Sequence, residues 1–169
     1  GEIEFEWAGD TARCVGVVVH QYLQRIGRDG LTAWSAQRVA GLDTAIARTL
    51  ARQGVPRDER VQAVRSVQEA LTRCLADQRG RWILDERHAD AAVEWALAGR
   101  DRNQVVHVVL DRSFVDEDGT RWIIDYKTGA HRGGDREVFL DNEQLRYRPQ
   151  LERYARLLAA REPRPIRLG

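Results

Sequence analysis

Methionine is absent from the 169-residue sequence, and cysteine occurs only twice, at Cys14 and Cys74. Two cysteines are too few for a four-cysteine zinc site or an iron–sulfur cluster, so we expect neither cofactor. We interpret both as small core residues of helices in a reducing compartment. Because natural chains begin with methionine, we expect a domain excised from a longer protein. The alternative is a natural protein that has lost only its initiator.

Long apolar runs and a strong excess of charge are also missing. No stretch approaches the roughly 18 apolar residues that a membrane-spanning helix requires. Charged residues make up 31% and hydrophobic residues 43% of the chain, and the formal net charge is +1. This composition predicts one globular domain, residues 1–169, that is large enough to bury a core. The net charge does not indicate a nucleic-acid partner, although a local arginine cluster could still bind one.

Lysine is nearly absent, since Lys127 is the only one and every other basic residue is arginine. It stands at the end of an apolar run, two residues after Asp125. Arginine is a planar fork that stays charged, whereas lysine is a compact ammonium whose pKa can be moved. We interpret Lys127 as a residue whose ammonium is needed at this position. The alternative is that a single lysine has to fall somewhere.

The first half of the chain shows helical periodicity. A first helix is predicted over residues 11–28, with Thr11 as its cap. A helical insertion is predicted over residues 33–80, closed by the glycine at its end, and it contains two helices, 33–53 and 57–78. Apolar residues recur on one face of each of these helices, which indicates that they pack against one another.

The second half changes to a strand pattern and gives the chain a mixed α/β class. β-branched and apolar runs predict strands at residues 91–97, 105–115 and 121–126. The polar segment 129–146 is predicted to be a loop. A helix over 149–160 follows, with a proline in its first turn, and the chain ends on a strand-like segment.

The hairpin between the second and third predicted strands brings two aspartates together. Its Asp-Glu-Asp-Gly run is a turn signal. If the loop is residues 117–119, Asp111 stands opposite Asp125, with Cβ atoms about 5 Å apart. Lys127 shares the face of Asp125 because strand side chains alternate. Facing carboxylates repel unless they are compensated, and Mg²⁺ prefers oxygen ligands. The alternative is a surface ion pair of Asp125 with Lys127 or Arg112, with Asp111 solvated.

Two helical motifs are open to more than one interpretation. His20 lies on the first predicted helix, where a lone histidine is more often a core residue than a ligand. Gln150 and Tyr154 are four residues apart and therefore share a helix face. They could grip a phosphate or brace an active site, and a core tyrosine is the alternative.

In their order along the chain, these motifs resemble the RecB-type nuclease family of the PD-(D/E)xK superfamily over about residues 11–160. The family motifs are GxxxHxxL, an apolar strand that ends in aspartate, the run Asp-Tyr-Lys-Thr-Gly and a QxxxY helix, which here are Gly16, His20 and Leu23, then Asp111, then residues 125–129, then Gln150 and Tyr154. The resemblance implies a restriction-endonuclease-like α/β fold. Its mixed central sheet would be flanked by helices, with residues 91–160 as the nuclease core.

The resemblance also implies a role for each matching residue. The metal ligands of the family, for Mg²⁺ or Mn²⁺, match His20, Asp111, Asp125 and the backbone carbonyl of Tyr126. The catalytic residues and their supporting helix motif match Asp111, Asp125, Lys127, Gln150 and Tyr154. A further acidic residue is expected upstream of the hairpin, and Glu94 is the candidate, with Glu86 as the alternative.

The implied activity is that of a magnesium-dependent, exonuclease-like deoxyribonuclease that hydrolyses phosphodiester bonds at single-stranded DNA ends. Family members commonly form the C-terminal domain of UvrD-like helicases of the RecB and AddA kind, which process double-strand breaks for repair and recombination. The implied partners are therefore DNA and the helicase region of a parent chain with its complex, in the bacterial cytoplasm at the nucleoid and without a membrane.

Arginines are expected to hold the DNA backbone by charge, and the candidates are Arg112, Arg146, Arg148 and Arg153. Trp122 and Tyr147 could stack on bases, with core packing as the alternative for Trp122. One rival function is a nuclease-like DNA-binding or scaffold domain without catalysis, in a helicase complex. A stand-alone nuclease and an unrelated metal-binding or interaction domain are the others.

Overall fold

The structure is a computed structural model that describes residues 2–126, 152–160 and 165–168. The chain divides into two compact units. Gly1–Asp85 belong to a helical unit, and Glu86–Tyr126 belong to a sheet unit with the described residues of the C-terminal part. Within the described residues, no helix is long and apolar enough to cross a membrane. The predicted loop 129–146 lies outside the described residues, as do Lys127, Arg146, Tyr147, Arg148 and Gln150.

The helical unit consists of helices that bury one apolar face each. Its elements are α1 (Glu2–Asp29), a 3-10 turn (Leu31–Ala33), α2 (Ala36–Ala40), α3 (Asp43–Arg52), α4 (Arg57–Ala76) and α5 (Gln78–Leu84). The buried side chains recur at helical spacing, which is why these segments fold as helices: Val15, Val18, Val19, Tyr22, Leu23 and Ile26 on α1, and Val64, Val67, Leu71 and Leu75 on α4.

Two of the predicted helices have other boundaries in the structure. The first helix begins at Glu2 and not at Thr11, because a single interior glycine, Gly9, costs only about 1 kcal/mol relative to alanine. The Thr11 hydroxyl donates to the Glu59 carboxylate instead of capping a helix. The predicted helix 33–53 is two helices, α2 and α3, which break at Gly41.

The helical segment does not end at Gly80, since this glycine lies inside α5. The Asp77 carboxylate caps α5 by accepting a 2.7 Å hydrogen bond from the Gly80 backbone N–H. A Cβ at position 80 would lie 2.4 Å from the carbonyl oxygen of Cys74. Only glycine fits this approach, so Gly80 marks the close contact between α4 and α5 and not a helix end.

The sheet unit contains a mixed four-stranded sheet in the order β1-β2-β3-β4. Its strands are β1 (Ala89–Asp101), β2 (Gln104–Val115), β3 (Arg121–Ile124) and β4 (Ile166–Leu168). The first three strands are antiparallel, and β4 pairs parallel to β3. Helix α6, residues 152–159, lies between β3 and β4 in the chain. The predicted α/β class with a mixed sheet and helices is confirmed.

The core of the sheet unit forms between the sheet and α6. Its buried members are apolar side chains of three strands and one helix: Leu97, Val106, Val108, Leu110, Ile123, Tyr154, Leu157 and Leu158. Gly99 allows this packing, since a Cβ at this position would lie 2.8 Å from Cδ2 of Leu157. A glycine inside a strand commonly marks such a close approach.

The loop of the β2–β3 hairpin has the predicted length. The Asp116 N–H donates to the Thr120 carbonyl at 3.0 Å, which closes the loop over residues 117–119. Asp116 Oδ1 accepts from the N–H groups of Asp118 and Thr120, each at 2.9 Å. Its Oδ2 accepts from Trp122 Nε1 at 2.8 Å. The Trp122 bond, followed by these backbone bonds and the charge of Arg167, lowers the pKa of Asp116 despite the opposing effect of desolvation.

Candidate active site

The register of the β2–β3 hairpin runs up to the two predicted aspartates. The strands pair from Val115↔Arg121 to Arg112↔Ile124. Asp111 and Asp125 are the next residues beyond the last pair, so the same register, continued by one step, would set them opposite each other. Directly opposed residues in an antiparallel pair have Cβ atoms about 5 Å apart. The predicted loop length and register are thus confirmed as far as Arg112 and Ile124, and the opposition of Asp111 and Asp125 one step further stays a prediction.

A hydrogen bond orients the Asp111 carboxylate at the end of β3. Asp111 Oδ2 accepts from the backbone N–H of Tyr126 at 2.9 Å. The bond holds the backbone after Asp125 close to Asp111, although β3 itself ends at Ile124. It gives one oxygen of the Asp111 carboxylate a fixed partner on the backbone. Lys127 follows Tyr126 directly in the sequence.

A third acid, Glu94, lies on the neighbouring strand β1. The register pairs Val93 with Arg112 and Trp95 with Leu110, so Glu94 lies between two residues whose partners flank Asp111. Its backbone has a φ of 50°, a left-handed conformation that is uncommon for a residue other than glycine. The alternative candidate, Glu86, precedes β1 and therefore lies outside this strand. We name Glu94, Asp111 and Asp125 the acid row.

The chemistry of the acid row suits a hard divalent cation. Carboxylate oxygens are the ligands that Mg²⁺ and Mn²⁺ prefer. Within the described residues, however, no three His, Cys, Asp or Glu side chains stand close enough together to hold a metal ion. Asp111 and Asp125 are both half-buried and Glu94 is exposed. The row therefore supplies oxygen donors of the kind that such a cation prefers.

His20 lies in the other unit. It is on α1, next to the buried Val19, and its own side chain is half-buried. The GxxxHxxL spacing is therefore helical throughout, as the sequence predicted. Its assignment as a metal ligand stays a prediction.

Arg112 does not occupy a position suited to its predicted DNA contact. Its side chain is only 1% exposed, and its guanidinium lies 5.6 Å from the centre of the Phe114 ring. That ring in turn stacks on His88, with centroids 4.0 Å apart. A buried guanidinium cannot offer its donors to a phosphate at the surface, so Arg112 is removed from the DNA-binding candidates. Arg153 is half-buried on α6.

Two aromatic candidates have structural contacts. Tyr154 is a buried member of the core between the sheet and α6, which is the core-packing alternative that the sequence left open. Trp122 is half-buried and donates to Asp116 in the hairpin loop. Its indole thus fixes the loop that sets the register. The role of Tyr154 beside a catalytic site stays a prediction.

Sequence reasoning missed one buried charged residue that links two strands of the sheet. Arg121 is 4% exposed and donates to the carbonyl oxygen of Asp90 at 3.0 Å, with the Asp90 carboxylate further away at 3.9 Å. Its guanidinium also lies 5.3 Å from the Trp95 ring centre. Arg121 therefore links β3 to the start of β1. Its place at the start of a strand with hydrophobic residues after it was the available signal.

The fold defines a class: an α/β protein with a mixed four-stranded sheet and helices, as in restriction-endonuclease-like enzymes. A family model confirms this class. The model of the PD-(D/E)XK nuclease superfamily matches residues 6–168, and the chain belongs to that superfamily. Its members are in general metal-dependent nucleases, which are hydrolases that act on nucleic acids. No curated protein and no solved structure gives a significant match.

Proposed function

We propose that this chain is a deoxyribonuclease of the RecB type that uses Mg²⁺ or Mn²⁺ to hydrolyse phosphodiester bonds at DNA ends. The superfamily match supports the nuclease activity. The order of the motifs along the chain supports the RecB type. The observation that carries the proposal is the hairpin register, which pairs the strands up to Arg112 and Ile124. Asp111 and Asp125 are the next residues beyond this pair, and the only lysine follows Asp125 by two residues.

The chain's own residues would divide the work of hydrolysis. Asp111, Asp125 and Glu94 supply carboxylate oxygens for the cation, and the Tyr126 N–H keeps Asp111 in one orientation. When bound, the ion stabilises the negative charge that develops on the phosphoryl oxygens. Lys127 orients or deprotonates the attacking water, or stabilises the charge on the pentavalent phosphorus. His20 and the Tyr126 carbonyl are proposed as further ligands, and Gln150 and Tyr154 as residues that support the site.

The biological setting follows from the RecB-type resemblance. We propose that the domain acts on single-stranded ends supplied by a UvrD-like helicase region of a parent chain, in double-strand-break repair and recombination. Exonuclease action in the bacterial cytoplasm, at the nucleoid, belongs to the same proposal. Arg146, Arg148 and Arg153 remain the proposed contacts with the DNA backbone, and their charge would make binding strongly salt-dependent.

The test compares Asp111→Asn with Asp118→Asn. An asparagine at position 111 can still accept the Tyr126 hydrogen bond, so the fold is expected to survive while the charge for the cation is lost. Asp118 is an exposed acid in the hairpin loop and serves as the matched control. Cleavage of labelled single-stranded DNA in Mg²⁺ or Mn²⁺, together with calorimetric titration of the metal, provides the readout.

We expect cleavage and metal binding to be lost in Asp111→Asn and retained in Asp118→Asn. Full cleavage by a folded Asp111→Asn protein would contradict the proposed mechanism. If the wild-type protein binds DNA without binding metal or cleaving, it is a nuclease-like scaffold. If it binds metal without cleaving, the activity depends on the helicase region.

A further inference from the structure

The far part of the β1–β2 hairpin, here named the distal ribbon (residues 95–110), extends beyond the rest of the sheet. The two strands pair from Trp95↔Leu110 out to Asp101↔Gln104. Within the described residues, β3 pairs with β2 only along Arg112–Val115. The ribbon closes in a two-residue turn, in which Arg102 and Asn103 have φ values of 47° and 68°. Positive φ at both positions is typical of a tight type I′ hairpin.

The two faces of the distal ribbon differ in burial. One face packs into the core with α6 through Leu97, Val106, Val108 and Leu110. The other face is exposed along its whole length. Its residues are small, apolar or basic: Ala96, Ala98, Arg100, Val105, His107 and Val109. Val105 is 66% exposed and Val109 is 56% exposed, and the two valines lie on the same exposed face on either side of His107.

Charge is distributed unevenly along the ribbon. Arg100 and Arg102, both exposed, stand at its outer end. Glu94, the member of the acid row on β1, comes directly before Trp95, the first residue of the ribbon. Arg100 is six residues beyond Glu94 along β1, which corresponds to about 20 Å at the rise of a β-strand. The exposed face thus connects the candidate metal ligands with a pair of cations.

We propose that the exposed face of the distal ribbon binds the DNA strand that the acid row cleaves. This inference rests on the proposed nuclease function. Arg100 and Arg102 contact phosphates, and the alanines and valines between them and the acid row contact sugars and bases. DNA is favoured over a protein partner because the surface continues directly from the acid row and ends in cations, which complement a polyanion that leaves the site.

The first test measures DNA affinity without metal, so that binding is separated from cleavage. Fluorescence anisotropy of a labelled single-stranded oligonucleotide in EDTA, at several salt concentrations, is recorded for the 169-residue chain. The double variant Arg100→Ala/Arg102→Ala is compared with Arg48→Ala/Arg52→Ala, which removes two exposed arginines from α3. We expect roughly tenfold weaker binding for the ribbon pair and a salt slope smaller by about 0.7 for each lost phosphate contact. The α3 pair should change affinity less than about twofold.

The second test adds a negative charge to the apolar part of the face. Val109→Glu would repel a phosphate backbone that crosses the ribbon, and we expect it to weaken DNA binding. Val61→Glu is the matched control, because Val61 is 69% exposed on α4 of the helical unit. Both substitutions are at the surface, so circular dichroism should show that both variants keep the fold.

The outcomes separate this inference from the nuclease proposal. If the wild-type protein cleaves DNA while the ribbon variants bind it as tightly as the wild type, the ribbon proposal is wrong and the nuclease stands. Equal weakening by the ribbon and control variants would show a general charge effect and would also overturn it. A wild-type protein that neither binds nor cleaves DNA would overturn both. If Val109→Glu binds DNA as tightly as the wild type, DNA does not bind this face, and a protein partner becomes the candidate for it.

Discussion

The helical unit and the sheet unit differ in how closely they follow the ordinary rules of folding. The buried side chains described in the helical unit are apolar and recur at helical spacing. In the described chain, all buried polar or charged side chains belong to the sheet unit: Arg112, Ser113, Thr120 and Arg121. The same is true of the non-glycine residues with positive φ: Asp90, Glu94, Arg102 and Asn103.

This contrast shows where the chain departs from maximal stability. A buried charge must be compensated, and a left-handed residue other than glycine costs of order 1–3 kcal/mol. Such departures persist where the surrounding structure holds them, and they concentrate at functional sites. The acid row lies among them. The helical unit, by comparison, resembles a conventional scaffold, and four experiments test this distinction.

The largest expected effect is on catalysis, through Lys127. Lys127→Ala and Lys127→Arg should each reduce cleavage by roughly 10³-fold, since a planar guanidinium fork cannot replace a compact ammonium. Neither should change the melting temperature appreciably. Single-turnover cleavage of labelled DNA is the measurement. Near-normal cleavage by the arginine variant would show that only the positive charge matters.

Removal of Arg121 should have the next largest effect, on stability. Arg121→Met leaves the Asp90 carbonyl without its donor and removes the contact with Trp95. We expect the free energy of unfolding to fall by about 2 kcal/mol. The exposed pair of Arg13 with Asp10 in the helical unit is the control, and Arg13→Met should cost less than about 0.5 kcal/mol. Equal losses in urea denaturation would remove the contrast between the two units.

A smaller effect concerns acid stability. The pKa of Asp116 is lowered in the folded protein by its bonds to Trp122, Thr120 and Asp118. Because the folded pKa is below the unfolded one, the carboxylate stabilises the protein at neutral pH. This contribution is lost as the pH falls from about 4 through the folded pKa. Asp116→Asn should flatten the pH dependence of the melting temperature in this range. An unchanged pH dependence of the melting temperature would show that the Asp116 carboxylate does not contribute to stability in acid.

The smallest expected effect concerns the reactivity of the Cys74 thiol in the helical unit. Burial, followed by the charge of Asp77, raises the pKa of Cys74 to about 11. The thiol is therefore protonated at neutral pH and should react slowly with iodoacetamide, because the thiolate is the nucleophile. The rate of this reaction is measured by mass spectrometry on the Cys14→Ala variant, in which Cys74 is the remaining cysteine. Reaction as fast as that of an unfolded cysteine would indicate local opening at the end of α4.

Local signals allowed most of the fold to be predicted. Apolar periodicity placed the helical half and the strand half, and the Asp-Glu-Asp-Gly turn predicted the hairpin register that the structure shows as far as Arg112 and Ile124. These features depend on short sequence distances. Gly80 was misjudged because its role is a close approach to the Cys74 carbonyl, which no local pattern reveals.

The errors in the predictions for Arg112 and Arg121 have the same cause. Arginine is rarely fully buried, so Arg112 was expected at the surface and Arg121 was not considered. Their burial depends on partners that are distant in the sequence, Asp90 and Trp95 in the case of Arg121. The position of Glu94 between two residues whose partners flank Asp111 depends likewise on the pairing of β1 with β2. The sequence suggested this residue only through the family resemblance.

The closed loop of residues 117–119 has a consequence for how this protein can vary. Exposed hairpin loops ordinarily tolerate insertions and deletions. Here the loop length determines which residue would stand opposite Asp111. A single inserted residue that slips the register would present Ile124 in place of Asp125 and turn every β3 side chain to the other face. The length of this exposed loop is therefore under the same constraint as the carboxylates themselves, and related chains should vary its sequence but keep its length.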